Sequence, residues 1–252
     1  MKNLFSVAGK CAVVTGGTRG VGRMIARGLL EAEARVYIVS RNAEACRRTA
    51  AELSLWGECE ALPADLSATH ECDRLAAELT AREPALDILV NNAGVTRAAP
   101  FETFGDEEWD RVFEVNVKGV FHLTRSLRPL LDAAAADENP ARVINVGSVD
   151  GLHVPALENY SYAASKAALH HLTRHLAKRL GPRITVNALA LGPFESEMMD
   201  PTLGREMGAR APLRRIGTPE DAAGITIFLS SRAGSFLTGT VIPVDGGLIT
   251  TS

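Results

Sequence analysis

The chain has 252 residues, 46% hydrophobic and 23% charged, with a formal net charge of −3. That length suits one α/β domain, and the composition excludes disorder and collagen-like architecture. The charge offers no electrostatic hold on nucleic-acid phosphates, and no run of about 18 apolar residues spans a membrane, so neither nucleic acid nor membrane is expected as a partner.

In chain order, short apolar runs alternate with segments of helical length. The runs are CAVVT (11–15), RVYIV (35–39), LDILV (86–90), RVINV (142–146), RITVNAL (183–189) and TVIPV (240–244), with CEALPA (58–63) a weaker seventh. Helical periodicity fills 21–33, 43–56, 67–82, 106–132, 159–180 and 218–231 between them. Strands that are nearly continuously apolar, each followed by a helix, predict a doubly wound parallel sheet of about seven strands with helices on both faces, a single-domain Rossmann fold over 1–252. Pro140 marks a helix that stops before it, after the tract AAAADENPA (133–141). Four cysteines, Cys11, Cys46, Cys59 and Cys72, lack CxxC spacing, and the N-terminus has no long apolar segment of a signal peptide. Reduced thiols in the cytoplasm are the expectation.

The first strand runs straight into Thr15-Gly16-Gly17-Thr18-Arg19-Gly20-Val21-Gly22 and then into a helical segment. Glycines permit positive φ and close backbone approach, so a dinucleotide pyrophosphate can rest on free N–H groups at the helix N-terminus. The strand before the turn and the helix after it separate this from an ordinary glycine-rich connection.

The TGxxxGxG spacing at 15–22, Asn91-Asn92-Ala93-Gly94 after the fourth strand, Asn116 in the next helix, Ser148 after the fifth strand, Tyr162-xxx-Lys166 and a late Asp245-Gly246-Gly247 together resemble the short-chain dehydrogenase/reductase family. The resemblance covers essentially the whole chain. Within the family, ADLS (64–67), NPARVINVGSV (139–149), SKAALHHLTRHLAK (165–178) and IPVDGG (242–247) look most like 3-oxoacyl-[acyl-carrier-protein] reductases, including the rhamnolipid-associated type.

Tyr162 and Lys166, four apart in a helical stretch, project from one face. A phenol ionises near pH 10, so a neighbouring ammonium is expected to draw Tyr162 toward neutrality and make it the general acid/base. The resemblance implies that Lys166 also holds the nicotinamide ribose, that Ser148 bonds the substrate oxygen and that Asn116 holds a relay water. Taken singly, each has an ordinary reading as a helix-surface pair, a cap or a buried polar group. Tyr160 is the competing phenol, but its lysine-spaced partner is Ala164, which rules it out as the acid.

The cofactor is expected to be NADPH/NADP+. After the second strand, where a carboxylate would bind a ribose 2′-hydroxyl, stand Ser40-Arg41-Asn42. Arg41, with Arg19 from the glycine loop, suits a 2′-phosphate. By resemblance, Asp65 and Leu66 contact adenine, and Asn91, Ala93 and Gly94 line the adenine-ribose side. After the sixth strand, Leu191-Gly192-Pro193-Phe194-Glu195-Ser196 departs from the family pattern, with Leu191 standing for the usual proline; by resemblance Ser196 supplies the hydroxyl that contacts the carboxamide, and Gly192 and Phe194 are also expected to contact the cofactor. Residues 192–215, with Pro193, Pro201, Pro212, Met198 and Met199, are expected to form a lid over an apolar substrate.

The implied activity is NADPH-dependent reduction of a 3-oxoacyl thioester to the 3-hydroxyacyl thioester. The alternatives are reduction of a free ketone, steroid, quinone or sugar, and, in another class, NADP sensing without turnover. Arg125, Arg128 and Arg183 are placed by resemblance where a carrier protein docks. His170, His171 and His175 lack the HExxH pattern or a carboxylate partner, so no metal is expected. The resemblance also implies a homotetramer.

Overall fold

The computed structural model describes residues 3–195, 201–249 and 251. Seven strands, β1 (Cys11–Thr15), β2 (Arg35–Ser40), β3 (Cys59–Pro63), β4 (Ile88–Asn91), β5 (Ala141–Val146), β6 (Ile184–Leu191) and β7 (Val241–Val244), form one sheet in the order β3-β2-β1-β4-β5-β6-β7. Every neighbouring pair is parallel. The helices are α1 (Gly20–Glu31), α2 (Ala43–Leu53), α3 (Thr69–Arg82), α4 (Asp106–Phe113), α5 (Val120–Ala134), α6 (Tyr160–Leu180), α7 (Pro201–Arg210) and α8 (Pro219–Ser230). The expected doubly wound Rossmann sheet is therefore present, and the weak seventh segment is a true strand.

Continuous burial along β1, β4, β5 and β6 explains why those runs do not alternate. Two apolar clusters cover the sheet's faces. One joins Ala12, Val14, Ile38 and Val90 to Ile25 and Leu29 of α1 and Leu229 of α8. The other joins Val13, Leu89 and Val143 to Leu75 and Leu79 of α3 and Leu123 and Leu127 of α5. The chain reverses its winding between β1 and β4, which lie side by side, so their carboxyl ends open a crevice at the switch point.

Three features differ from the sequence expectation. The single helix expected over 106–132 is two helices joined by a π-helical turn, Glu114–Gly119, which carries Asn116. Part of the expected lid is the helix α7. β6 continues through Leu191, which pairs with Val244, so the residue in place of the usual proline extends the strand to the edge of the crevice.

Candidate active site

The carboxyl ends of the strands border a cavity of about 1370 Å³ that reaches from Ser40, Arg41 and Arg48 to Leu203 and Met207 of α7. At its centre the glycine turn passes from β1 into α1. Gly16 and Gly20 have φ of 64° and 49°, values that disfavour residues with a Cβ. At Gly22 a Cβ would lie 2.3 Å from the Gly16 carbonyl oxygen, so only glycine lets the helix approach the turn. The N-terminus of α1 has no side-chain cap and no acidic residue in its first turn, which leaves its N–H groups and positive dipole end to an anion.

Two residues expected to touch the cofactor support the site from beneath instead. Thr15 is buried; its hydroxyl donates to Val90 O (3.2 Å) and accepts from Asn92 N and Ala93 N (both 2.9 Å). Asn91 is buried too, donating to Asn145 Oδ1 (2.9 Å) and Thr124 Oγ1 (3.2 Å). Successive strand residues face opposite ways, so the neighbours Gly16 and Asn92 reach the cavity. Asn92, quoted in the sequence motif but given no role there, ties the glycine turn to β4 by donating to Thr15 O (2.9 Å) and Gly16 O (3.3 Å).

Thr18, Arg19, Gly20, Val21, Gly22, Ser40, Arg41, Asn42, Asp65, Leu66, Ala93 and Gly94 all line the cavity, and Arg48 of α2 joins them. The Asn42 side chain caps α2 by accepting from Ala45 N (2.9 Å). Burial acts to raise the Asp65 carboxyl, but hydrogen bonds from Ser67 and the charges of Arg111 and Arg41 outweigh it and hold the group below the ordinary carboxylate range. No carboxylate stands at the end of β2 itself.

At the other end, Ser148 follows β5, and its hydroxyl accepts from Asp150 N (3.2 Å). Tyr162 and Lys166 project from α6 onto the same wall. Lys166 is 4% exposed; its Nζ donates to Val146 O (2.8 Å) and lies 5.5 Å from the centroid of the Tyr162 ring. Burial pushes the Tyr162 phenol up to about 12; the Ser148 hydroxyl works against this shift and the Asp150 charge adds to it. Burial pushes Lys166 down to about 8, opposed by Asp150. The expected lowering of the phenol by its lysine is therefore corrected: among the protein's own groups, desolvation dominates.

Asn116 lies in the π turn Glu114–Gly119. Its carboxamide is buried and committed, accepting from Val95 N (2.9 Å) and donating to Val95 O (3.0 Å) and Ser165 Oγ (3.0 Å), while Ser165 Oγ donates to Tyr162 O (2.7 Å). It braces the 93–96 loop against α6 and does not line the cavity. Gly192 and Phe194 line it beyond Leu191; Ser196, Met198 and Met199 lie outside the described residues. Arg183 precedes β6, at the opposite end of an eight-residue strand from the site, about 25 Å away by strand rise, and it pairs with Asp132. It does not line the cavity.

A sequence model described as "Enoyl-(Acyl carrier protein) reductase" matches residues 16–249. The chain is 49% identical to the rhamnolipids biosynthesis 3-oxoacyl-[acyl-carrier-protein] reductase of Pseudomonas aeruginosa, over 98% of this chain and 99% of that protein. It belongs to the short-chain dehydrogenase/reductase family.

Solved structures of the family superpose closely. The Pseudomonas aeruginosa RhlG/NADP active-site complex matches with a TM-score of 0.94 and 49% identity, covering 98% of this chain and 99% of that one. A gluconate 5-dehydrogenase from Burkholderia cenocepacia, in complex with NADP and tartrate, matches with a TM-score of 0.89 and 32% identity over 99% and 98%. The short-chain dehydrogenase/reductase assignment agrees with the Ser148, Tyr162 and Lys166 geometry already described.

Proposed function

We propose that the protein is an NADPH-dependent reductase of carbonyl compounds, with 3-oxoacyl thioesters as its substrates. The observation that carries this reading is one cavity with Ser148, Tyr162 and Lys166 on a buried wall at one end and Arg41 and Arg48, with no carboxylate at the end of β2, at the other. The 49% identity to a 3-oxoacyl-[acyl-carrier-protein] reductase and the likeness to its NADP complex support the substrate and cofactor.

The residues present fit a phosphorylated dinucleotide. The start of α1 would receive the pyrophosphate, Arg41 with Arg19 and Arg48 would meet the 2′-phosphate, and Lys166 would hold the ribose hydroxyls beside the nicotinamide. When bound, NADPH supplies hydride to the carbonyl carbon. Ser148 Oγ and Tyr162 OH hold the carbonyl oxygen, and Tyr162 gives it the phenolic proton as the alkoxide forms. A phenol raised to about 12 is fully protonated at neutral pH, as the reductive direction requires. Lys166 keeps a positive charge beside the phenolate left behind, and Asn116 positions α6 through Ser165. The α7 part of the expected lid presents apolar surface to the acyl chain through Leu203 and Met207.

The reading includes a homotetramer in the cytoplasm. Exposed Phe121 on α5 and Phe236 before β7 offer apolar surface to other copies, and four free buried cysteines suit a reducing compartment. The functional test is NADPH oxidation against a panel of 3-oxoacyl thioesters and free cyclic ketones. Turnover of the thioesters supports the reading; brisk turnover of the cyclic ketones with none of any thioester would overturn it.

A further inference from the structure

Asp150 brings a carboxylate to the reacting end of the cavity, which the reduction of a neutral ketone does not require. It stands two residues after Ser148, to whose Oγ its own N–H donates (3.2 Å), and it lines the same wall as Tyr162. Asn159, 4% exposed and three residues before Tyr162, donates from Nδ2 to Asp150 Oδ2 (3.1 Å). Exchanging the amide's oxygen and nitrogen would set that oxygen against the carboxylate, so this orientation is the favourable one. It leaves Asn159 Oδ1, in a residue that also lines the cavity, buried without a hydrogen-bond partner among the described residues. A buried acceptor of this kind costs stability unless something donates to it.

Beside the carbonyl-holding pair the protein has therefore placed two acceptors, one of them charged and clamped. We propose that Asp150, held by Asn159, is a specificity-determining residue that excludes anionic carbonyl compounds and admits neutral acyl esters and thioesters, with Asn159 Oδ1 accepting from an N–H or O–H of the substrate. The inference rests on Ser148 and Tyr162 as the holders of the carbonyl oxygen. In a free 3-oxo acid the carboxylate begins two bonds from the ketone carbon, next to Asp150; in the thioester that same position is uncharged. Two like charges about 6 Å apart, at an effective dielectric constant of about 20, repel strongly enough to change relative rates roughly 10- to 100-fold. Among the described residues, the other ionisable groups at this end are Lys166, which donates to Val146 O, His153, whose Nδ1 faces Val149 O (2.8 Å), and Arg210 of α7; His170 lies behind Lys166. The arrangement also disfavours a sugar acid, which any gluconate-oxidising relative must accept.

The test uses a matched pair, ethyl acetoacetate and acetoacetate, with saturating NADPH. The wild type is expected to favour the ester in kcat/KM by at least tenfold, and Asp150→Asn, which preserves size and one acceptor, should shrink that ratio roughly 10-fold or more. Asp150→Ser serves as the second variant if the amide misfolds. A wild type indifferent to the substrate's charge, or a ratio that stays within twofold in a folded variant, would overturn the proposal. The two readings fail separately. Ester turnover without any thioester turnover removes the proposed substrate and leaves the charge filter, whereas thioester turnover with a flat ratio removes only the filter. A wild type that reduces no carbonyl compound removes both.

Discussion

Tyr162 and Lys166 are shifted in opposite senses by the same burial, the phenol up to about 12 and the ammonium down to about 8. Around neutral pH both therefore carry their protons, an arrangement that stores the acid for reduction. Tyr162→Phe keeps the ring and its packing while removing that proton, so kcat should fall on the order of 10²–10⁴ with NADPH binding retained. Stopped-flow kinetics with fluorescence titration of NADPH checks both halves, and near-normal turnover would end the assignment. At the far end of the cavity, Arg41 is the residue that a 2′-phosphate needs. Losing a hydrogen bond to a charged group costs about 1.5–3 kcal/mol, so Arg41→Ala should weaken NADPH about 10- to 150-fold and NADH far less. Isothermal titration with both cofactors reads the difference; equal losses would show that the guanidinium does not meet the phosphate.

The glycine turn and α1 act as one element because Gly22 lets the helix sit against the Gly16 carbonyl. Gly22→Ala places a methyl group 2.3 Å from that oxygen and 2.4 Å from Asn92 Nδ2, so turn or helix must shift. NADPH affinity should fall at least tenfold while the melting temperature drops only by a few degrees; unchanged affinity would contradict the close approach. Most strands were legible in the sequence because they are apolar runs separated by segments of helical length, whereas β3, with Glu60 inside it, was the weak candidate. The glycine turn was legible because its strand and helix flank it. The π turn at Glu114–Gly119 was not, since EVNVKG sits inside unbroken helical periodicity and an i+5 hydrogen-bond register leaves no mark on composition. Nor was α7, whose Gly204 and Gly208 weaken any helical reading. Thr15 and Asn91 were placed on the cavity wall because a polar residue at a strand end looks the same whether it faces ligand or framework. Only the hydrogen bonds to Val90, Asn92 and Asn145 separate the two.

The molecule as a whole carries a pH dependence in α6. His170, 2% exposed one turn after Lys166, packs its ring against Gly147 and Gly151. Burial first, and then the Lys166 charge, push it down to about 4. In the unfolded chain a histidine takes up its proton near pH 6.5, before the folded one does, so the folded state loses stability as pH falls from about 6.5 toward 4. At pH 5 the loss from this one group is about 2 kcal/mol. Urea denaturation at pH 7 and pH 5 should show a smaller drop for His170→Leu than for the wild type; parallel drops would mean that His170 is not the group responsible.

The most direct test of the central claim follows the hydride. With NADPH carrying deuterium at C4 and a 3-oxoacyl thioester as substrate, mass spectrometry of the product should find deuterium on C3 of a 3-hydroxyacyl thioester, and Tyr162→Phe should make almost none. Consumption of NADPH only with 2-enoyl thioesters, leaving the 3-oxo compound untouched, would contradict carbonyl reduction at Ser148, Tyr162 and Lys166.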